Sequence, residues 1–212
     1  MLMRGAGFYK LIGAAAMLLL LCGRASFALE DDFAKIRRES AGIKTLRADF
    51  VQKKFMKILS KPLASEGRFC YEAPDCLRWE YFKPLKSLVI VRKNQVKRYL
   101  YSEGKMIEDR TGGAPAMKMV LNEVAGWMNG RFDQNPSFKA TFHRKANPVI
   151  TLVPADKNMS GFVEKIEITL AGSHGVVKSV KIFEGPDNFT QINFVRVQTN
   201  TPIDPAVFQD VP

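Results

Sequence analysis

Few side chains in this 212-residue chain are equipped for bond-making chemistry, and none stands in a spacing that supports it. His143 and His174 are the only bases that titrate near neutral pH. Ser173-His174 sets a hydroxyl beside an imidazole within Gly172-Ser173-His174-Gly175, but neighbours in a turn rarely point at one substrate, so a plain turn is the simpler reading. Gly112-Gly113 lacks the Lys and Ser/Thr of a phosphate loop. Three Cys and two His leave almost no ligands for a zinc or iron–sulfur site. The expectation is a non-enzyme with no catalytic residue, cofactor or metal.

What chemistry remains belongs to thiols, and the compartment decides it. Met1–Lys10 carries two positive charges, Leu11–Leu21 is an unbroken small-and-apolar run, and Ser26-Phe27-Ala28 offers small residues at −3 and −1 of a cleavage site. That is the layout of a secretory signal over residues 1–28. Its core is about half the roughly 20 residues a membrane-spanning helix requires. The rival is lipidation at Cys22, disfavoured by Leu21 just before it. Once the signal is removed, Cys70 and Cys76 are the only thiols left. In an oxidising compartment such a close pair reads as a disulfide, the alternative being two buried free thiols.

Cleavage leaves residues 29–212 as a single domain. Arg4, Lys10 and Arg24 fall in the signal, so the overall charge of +11 becomes +8 in the mature chain. Apolar residues at 46% and charged residues at 25% disfavour disorder and coiled coil. The basic pairs Lys53-Lys54, Arg92-Lys93 and Lys97-Arg98 are scattered rather than striped, and export removes the usual nucleic-acid ligand. They read as a solvated rim facing anionic lipid or an acidic partner.

The elements follow from periodicity. Asp31–Lys44 has Phe33, Ile36, Ser40 and Ile43 on one helical stripe. From Leu46 the period becomes 2, with Leu46, Ala48 and Phe50 alternating with Arg47 and Asp49. Further strands are expected at Glu66–Tyr71, Cys76–Phe82, Ser87–Lys93, Gln95–Tyr101 and Lys105–Arg110, punctuated by Pro74, Pro84, Asn94 and Gly104. Met117, Val120, Leu121, Val124, Trp127 and Met128 then repeat at helical spacing, with Gly130 as a stop. Ser137–Arg144, Val149–Val153, Phe162–Leu170, Val176–Phe183 and Phe189–Gln198 are the remaining strands. Ten or eleven antiparallel strands with two or three helices predict a mainly β (α+β) domain, a curved sheet partly covered by helices.

If Cys70 and Cys76 bond across a hairpin, Phe69 faces Leu77, Arg68 faces Arg78 and Gly67 faces Trp79. Phe69, Tyr71, Leu77, Trp79 and Tyr81 then share one apolar side, while Arg68, Arg78 and Glu80 share the other. Leu88–Val91 is apolar on both faces. Either both are packed, or the sheet encloses more apolar surface than two short helices cover, leaving a cavity.

Here the residues acquire a likeness. Leu46-Arg47-Ala48-Asp49-Phe50-Val51-Gln52, Gly67-Arg68-Phe69, Pro74, Leu77-Arg78-Trp79-Glu80-Tyr81 and Pro84 stand in the order and spacing of LolA, the periplasmic lipoprotein carrier family. The helical segment Ala116–Asn129, Leu152-Val153-Pro154 and the closing Ile203 to Phe208 extend the resemblance over nearly all of the mature chain. It implies an incomplete antiparallel barrel with a helical lid over an apolar cavity. That cavity takes the acyl chains of outer-membrane lipoproteins released by an inner-membrane LolCDE-type transporter and, in some bacteria, passed to a LolB-type receptor. One departure matters. The family commonly has an Arg before the turn proline that helps hold the lid, and here that residue is Ala73.

On this reading Phe50, Phe69, Leu77, Trp79, Val89 and Tyr99 line the cavity, and Val120, Leu121, Val124 and Trp127 form the inner stripe of the lid. Plain core packing is the competing account of each. Met117, Met119 and Met128 suit adaptable contacts or simply fill gaps. The chain is taken as monomeric and periplasmic. Two other readings stay open: a paralogue moving another acylated lipid or glycolipid, and a lipoprotein-sensing adaptor of the RseB type, whose second domain would not fit in the mature length.

Overall fold

The computed structural model describes residues 32–93, 95–109, 123–124, 126–155, 163–172 and 175–209. The signal segment, Val120, Leu121, Met117, Met119 and Ser173-His174 lie outside them.

Residues 32–41 form a helix, α1, which buries Phe33, Ile36 and Ser40 on the stripe the sequence marks. The chain then turns at Gly42 and alternation takes over. The first meander is β1 (Thr45–Phe55), β2 (Leu63–Glu72), β3 (Cys76–Lys83), β4 (Ser87–Arg92), β5 (Gln95–Ser102) and β6 (Lys105–Glu108). The second is β7 (Phe138–His143), β8 (Val149–Pro154), β9 (Lys165–Ala171), β10 (Val176–Gly185) and β11 (Asn188–Thr199), followed by a 3-10 turn at Pro205–Phe208.

All eleven strands join one antiparallel sheet in the order β6-β5-β4-β3-β2-β1-β11-β10-β9-β8-β7. The two meanders meet where β1 pairs with β11, Phe50 opposite Phe194. Strands β6 and β7 remain edges, so the barrel is incomplete. One core runs along the inner face, from Leu46, Ala48 and Phe50 through Phe69, Tyr71, Leu77 and Trp79, and on to Ile150, Leu152, Ile166, Ile168 and Ile192. Helix α1 and the segment around Trp127 pack on that same face.

The β2–β3 hairpin takes a different register from the one a cystine would impose. Phe69 lies opposite Trp79, Arg68 opposite Glu80 and Cys70 opposite Arg78, while Cys76 faces Glu72. The cystine register would set Arg68 directly against Arg78, and like charges in opposed positions are destabilising. The observed register replaces that repulsion with opposite charges and brings the Phe69 and Trp79 rings to 5.3 Å. It differs by two residues, so the assignment of side chains to faces is unchanged. The thiols, however, become diagonal rather than opposed, at a separation of about 7–8 Å for such positions, beyond the Cα reach of about 4.4–6.8 Å that a disulfide tolerates. Cys70 and Cys76 are free thiols.

Tyr99 also requires correction. It lies opposite Leu88 and packs with Leu88, Ile90 and Met106 in a satellite core on the outer face. The inner positions of β5 are instead Val96 and Arg98, opposite Val91 and Val89. The run Gln95–Tyr101 does not alternate cleanly, so its parity was not readable until the ladder fixed it. This satellite core also accounts for the two apolar faces of β4.

Candidate functional site

Five of the six expected lining residues, Phe50, Phe69, Leu77, Trp79 and Val89, come together on the inner face, all buried. The aromatic members form a continuous cluster. Phe50 lies 5.2 Å from Trp79 and 5.1 Å from Tyr81, centroid to centroid. Phe194, brought in by β11, reaches Phe69 at 5.8 Å and Trp79 at 6.2 Å. Tilted and edge-on pairs at these distances add cohesion beyond area burial.

The cluster depends on Gly67. A Cβ there would sit 2.4 Å from Cζ of Phe50 and 2.1 Å from the carbonyl oxygen of Glu80. The missing side chain leaves the Phe50 ring its place against β2, which explains why glycine stands in the Gly-Arg-Phe strand. At the margin of the cluster Tyr81 donates to Oε1 of Gln52 at 2.9 Å, and burial pushes the Tyr81 phenol above its ordinary range.

A cover sits on one end of this face. Val124 and Trp127 are buried against it, as the helical spacing anticipates. Tyr71 donates to Oδ1 of Asn129 at 3.0 Å, tying the end of the Trp127 segment to β2. The segment is also wedged against α1: Gly130 has φ of 69°, and a Cβ there would lie 2.9 Å from Cα of Arg37. Arg37 makes a two-pronged bond to Asp133 at 2.6 and 2.8 Å, while Arg144 holds Asp32 at 2.8 Å. Glu123 accepts from Asn135, yet burial dominates and pushes its carboxyl up. Ala73 packs against the core. The polar ties to the cover therefore come from Tyr71, on the apolar side of the β2–β3 hairpin, and from Arg37 on α1.

The indole N–H of Trp127 is buried on this face with no acceptor among the described residues, while that of Trp79 lies beside the Tyr81 hydroxyl. No group of three or more metal-ligating side chains occurs among the described residues. His143 meets the Thr151 hydroxyl at 3.1 Å across β7–β8, an ordinary cross-strand contact.

Comparison with known proteins converges on that architecture. The family model "Outer membrane lipoprotein carrier protein LolA" matches residues 41–210. The chain belongs to the LolA family. Among similar LolA-family relatives, the outer-membrane lipoprotein carrier protein of Dechloromonas aromatica is 24% identical over 198 residues, covering 93% of this chain and 88% of the relative. That of Pseudoalteromonas translucida is 24% identical over 203 residues, covering 92% and 91%. A solved structure of an uncharacterized conserved protein from Thermus thermophilus shares the fold with a TM-score of 0.54 at 9% identity, covering 86% of this chain and 93% of that one.

The sequence reading did not single out Phe194, Gly67 or Asn129 for these roles. Phe194 alternates with Ile192 within a recognised strand, but only the β1–β11 pairing places it beside Phe50.

Proposed function

We propose that this protein is a periplasmic carrier that shelters the acyl chains of lipoproteins against the inner face of its sheet. It takes them from a LolCDE-type transporter in the inner membrane and carries them toward the outer membrane, to a LolB-type receptor where one is present. Family membership supports the carrier role. The observation that carries the finer reading is the cover. An aromatic face spanning β1, β2, β3 and β11 is roofed by a helix and a short segment, packed on it through buried side chains and tied by a few side-chain bonds, rather than by a second sheet.

The energetics fit such a task. At about 0.8 kcal/mol per buried methylene, three chains of about 16 carbons cost on the order of 30–40 kcal/mol to expose to water. A cargo of that kind needs a dry surface throughout its passage. The carrier also needs weak closure, because release requires the apolar face to open again. The indole N–H of Trp127, which has no acceptor among the described residues, adds a donor to an otherwise apolar surface, matched to the ester and amide carbonyls at the head of an acylated cysteine.

The test is to purify the protein from periplasm and identify what it carries by mass spectrometry. It is then incubated with spheroplasts that retain newly acylated lipoprotein. Recovery of triacylated peptide and its release into the medium are expected. A different acylated lipid or glycolipid in the purified protein, with no lipoprotein release, would replace this reading with that of a paralogue. An empty protein without release activity would overturn it.

A further inference from the structure

The outer face of the same sheet carries a second feature, remote in character from the apolar one. Alternation that turns Leu46, Phe69, Leu77 and Trp79 inward turns Arg47, Arg68 and Arg78 outward. The ladders then bring them together: Arg47 lies opposite Cys70 in β2, and Cys70 lies opposite Arg78 in β3. The three arginines line a cleft of about 400 Å³ whose other walls include Glu80 and the Ala206-Val207 stretch of the 3-10 turn.

The charges lining this cleft and beside it do not balance. Arg68 pairs with Asp49 at 3.1 Å, and Arg196 takes the same carboxylate at 2.7 Å. Arg78 binds Glu80 at 2.9 Å and donates to the carbonyl of Val207 at 3.1 Å. Four guanidiniums thus face two carboxylates. Nε of Arg47 is buried with no oxygen acceptor among the described residues, the Cys70 sulfur being the weak acceptor beside its guanidinium. A buried cationic donor left without an oxygen acceptor is costly, and a built cationic cleft holding one calls for an anionic acceptor. Beyond the 3-10 turn, a neighbouring cleft of about 410 Å³ adds Arg92, Lys93 and Lys97 to the positive field.

We propose that the Arg47–Arg68–Arg78 cleft is a binding site for a phosphate group. Planar guanidiniums present paired N–H donors that match phosphate oxygens, and the net positive balance selects a dianion over a neutral acceptor. The volume exceeds that of bare phosphate, so the group is either free phosphate or the head of an anionic phospholipid. The site is independent of the carrier reading, because it lies on the opposite face from the apolar cluster.

The test uses the mature protein, its Arg47→Gln and Arg47→Lys variants, and Lys53→Gln as a control outside the cleft. Binding of inorganic phosphate is followed by calorimetry against chloride at matched ionic strength. Flotation with phosphatidylglycerol vesicles is compared with flotation with phosphatidylcholine vesicles. Saturable phosphate binding by the wild type is expected, weakened at least tenfold in both Arg47 variants and unchanged in Lys53→Gln. Loss in Arg47→Lys matters most, since it keeps the charge and removes only the Nε–H fork. Flotation with phosphatidylglycerol that is also lost in the Arg47 variants assigns the site to a lipid head, and phosphate binding without flotation assigns it to the free anion. Should an Arg47 variant fail to match the wild-type urea midpoint, Arg68→Gln, at a half-exposed position, replaces it with the same expectation. Phosphate and vesicle binding indistinguishable from the salt controls, or unaffected by the variants, would overturn the proposal.

Discussion

The hydroxyl of Tyr71 reaches the side-chain oxygen of Asn129 at 3.0 Å, joining the middle of the sheet to the end of the segment that covers it. Tyr71 is fully buried, and burial raises its phenol above the ordinary value of 10.0. The bond therefore stays protonated and in place throughout the physiological range. Ala73, two residues on, stands where the family resemblance leads one to expect an arginine latch, and the Tyr71–Asn129 bond supplies a tie from the same hairpin.

Removing that tie tests whether it governs opening. Tyr71→Phe and Asn129→Ala should each destabilise by about 0.5–1.5 kcal/mol, with less than additive loss in the double variant. Cargo release should speed up in both. Urea midpoints give the first quantity and stopped-flow transfer of a fluorescent acyl peptide the second. Additive losses with unchanged release would leave the bond a bystander.

Gly67→Ala should be far more damaging than its size implies. The added methyl meets backbone at Glu80 and the ring of Phe50, both fixed by the sheet. Overpacking of this kind costs about 1–3 kcal/mol or more. The expected result is a lowered urea midpoint together with lost acyl binding, because Phe50 must leave the cluster. Gly42→Ala, at an exposed turn where the added methyl meets only the carbonyl of Glu39 at 3.5 Å, is the comparison.

The eleven strands were legible because their residues alternate and their punctuation is dense. Pro74, Pro84 and Gly104 end strands within a residue or two of where the ladders stop. Face assignments around Phe69 and Trp79 survived a two-residue error in register, since parity is indifferent to even shifts. Register itself was not legible, as it hung on an assumed cystine, whereas the ladder sets Arg68 opposite Glu80 and Phe69 opposite Trp79. Tyr99 was misplaced for the related reason that its strand lacks alternation. The ties at Asn129 and Asp133 lie about 60 and 100 residues from their partners in the chain, a separation no local pattern encodes.

The free thiols lead to a redox prediction. Reductant should leave the urea midpoint of the mature protein unchanged, and the unfolded protein should titrate two thiols. In the native state half-buried Cys76 should react ahead of buried Cys70. Burial raises both thiols above 9.0, so labelling should be slow at neutral pH and quicken as the medium becomes alkaline. A midpoint that falls on reduction would contradict the observed register.

Closure should depend on mild acidity through Glu123, which sits three residues before Gly126 in the covering segment. Burial is the larger influence on its carboxyl and raises it above 4.5, with the Asn135 hydrogen bond opposing in part. A raised carboxyl means the closed state holds its proton more firmly than the open chain does. Its stabilising contribution is therefore complete below 4.5 and fades as pH climbs through the folded value. Asp49 behaves oppositely. Burial raises it, but hydrogen bonds from Arg196 and Arg68 outweigh burial and hold it below 3.8, so its contribution is lost only in stronger acid. The two windows do not overlap, and a change just above pH 4.5 reports Glu123. Release of bound acyl peptide should slow as pH falls toward 4.5, and Trp127 fluorescence should become less accessible to quencher over the same range. Glu123→Gln, which mimics the protonated carboxyl, should hold the closed state at every pH, flattening both profiles. Glu123→Gln profiles as steep as those of the wild type would assign the acid response to another group.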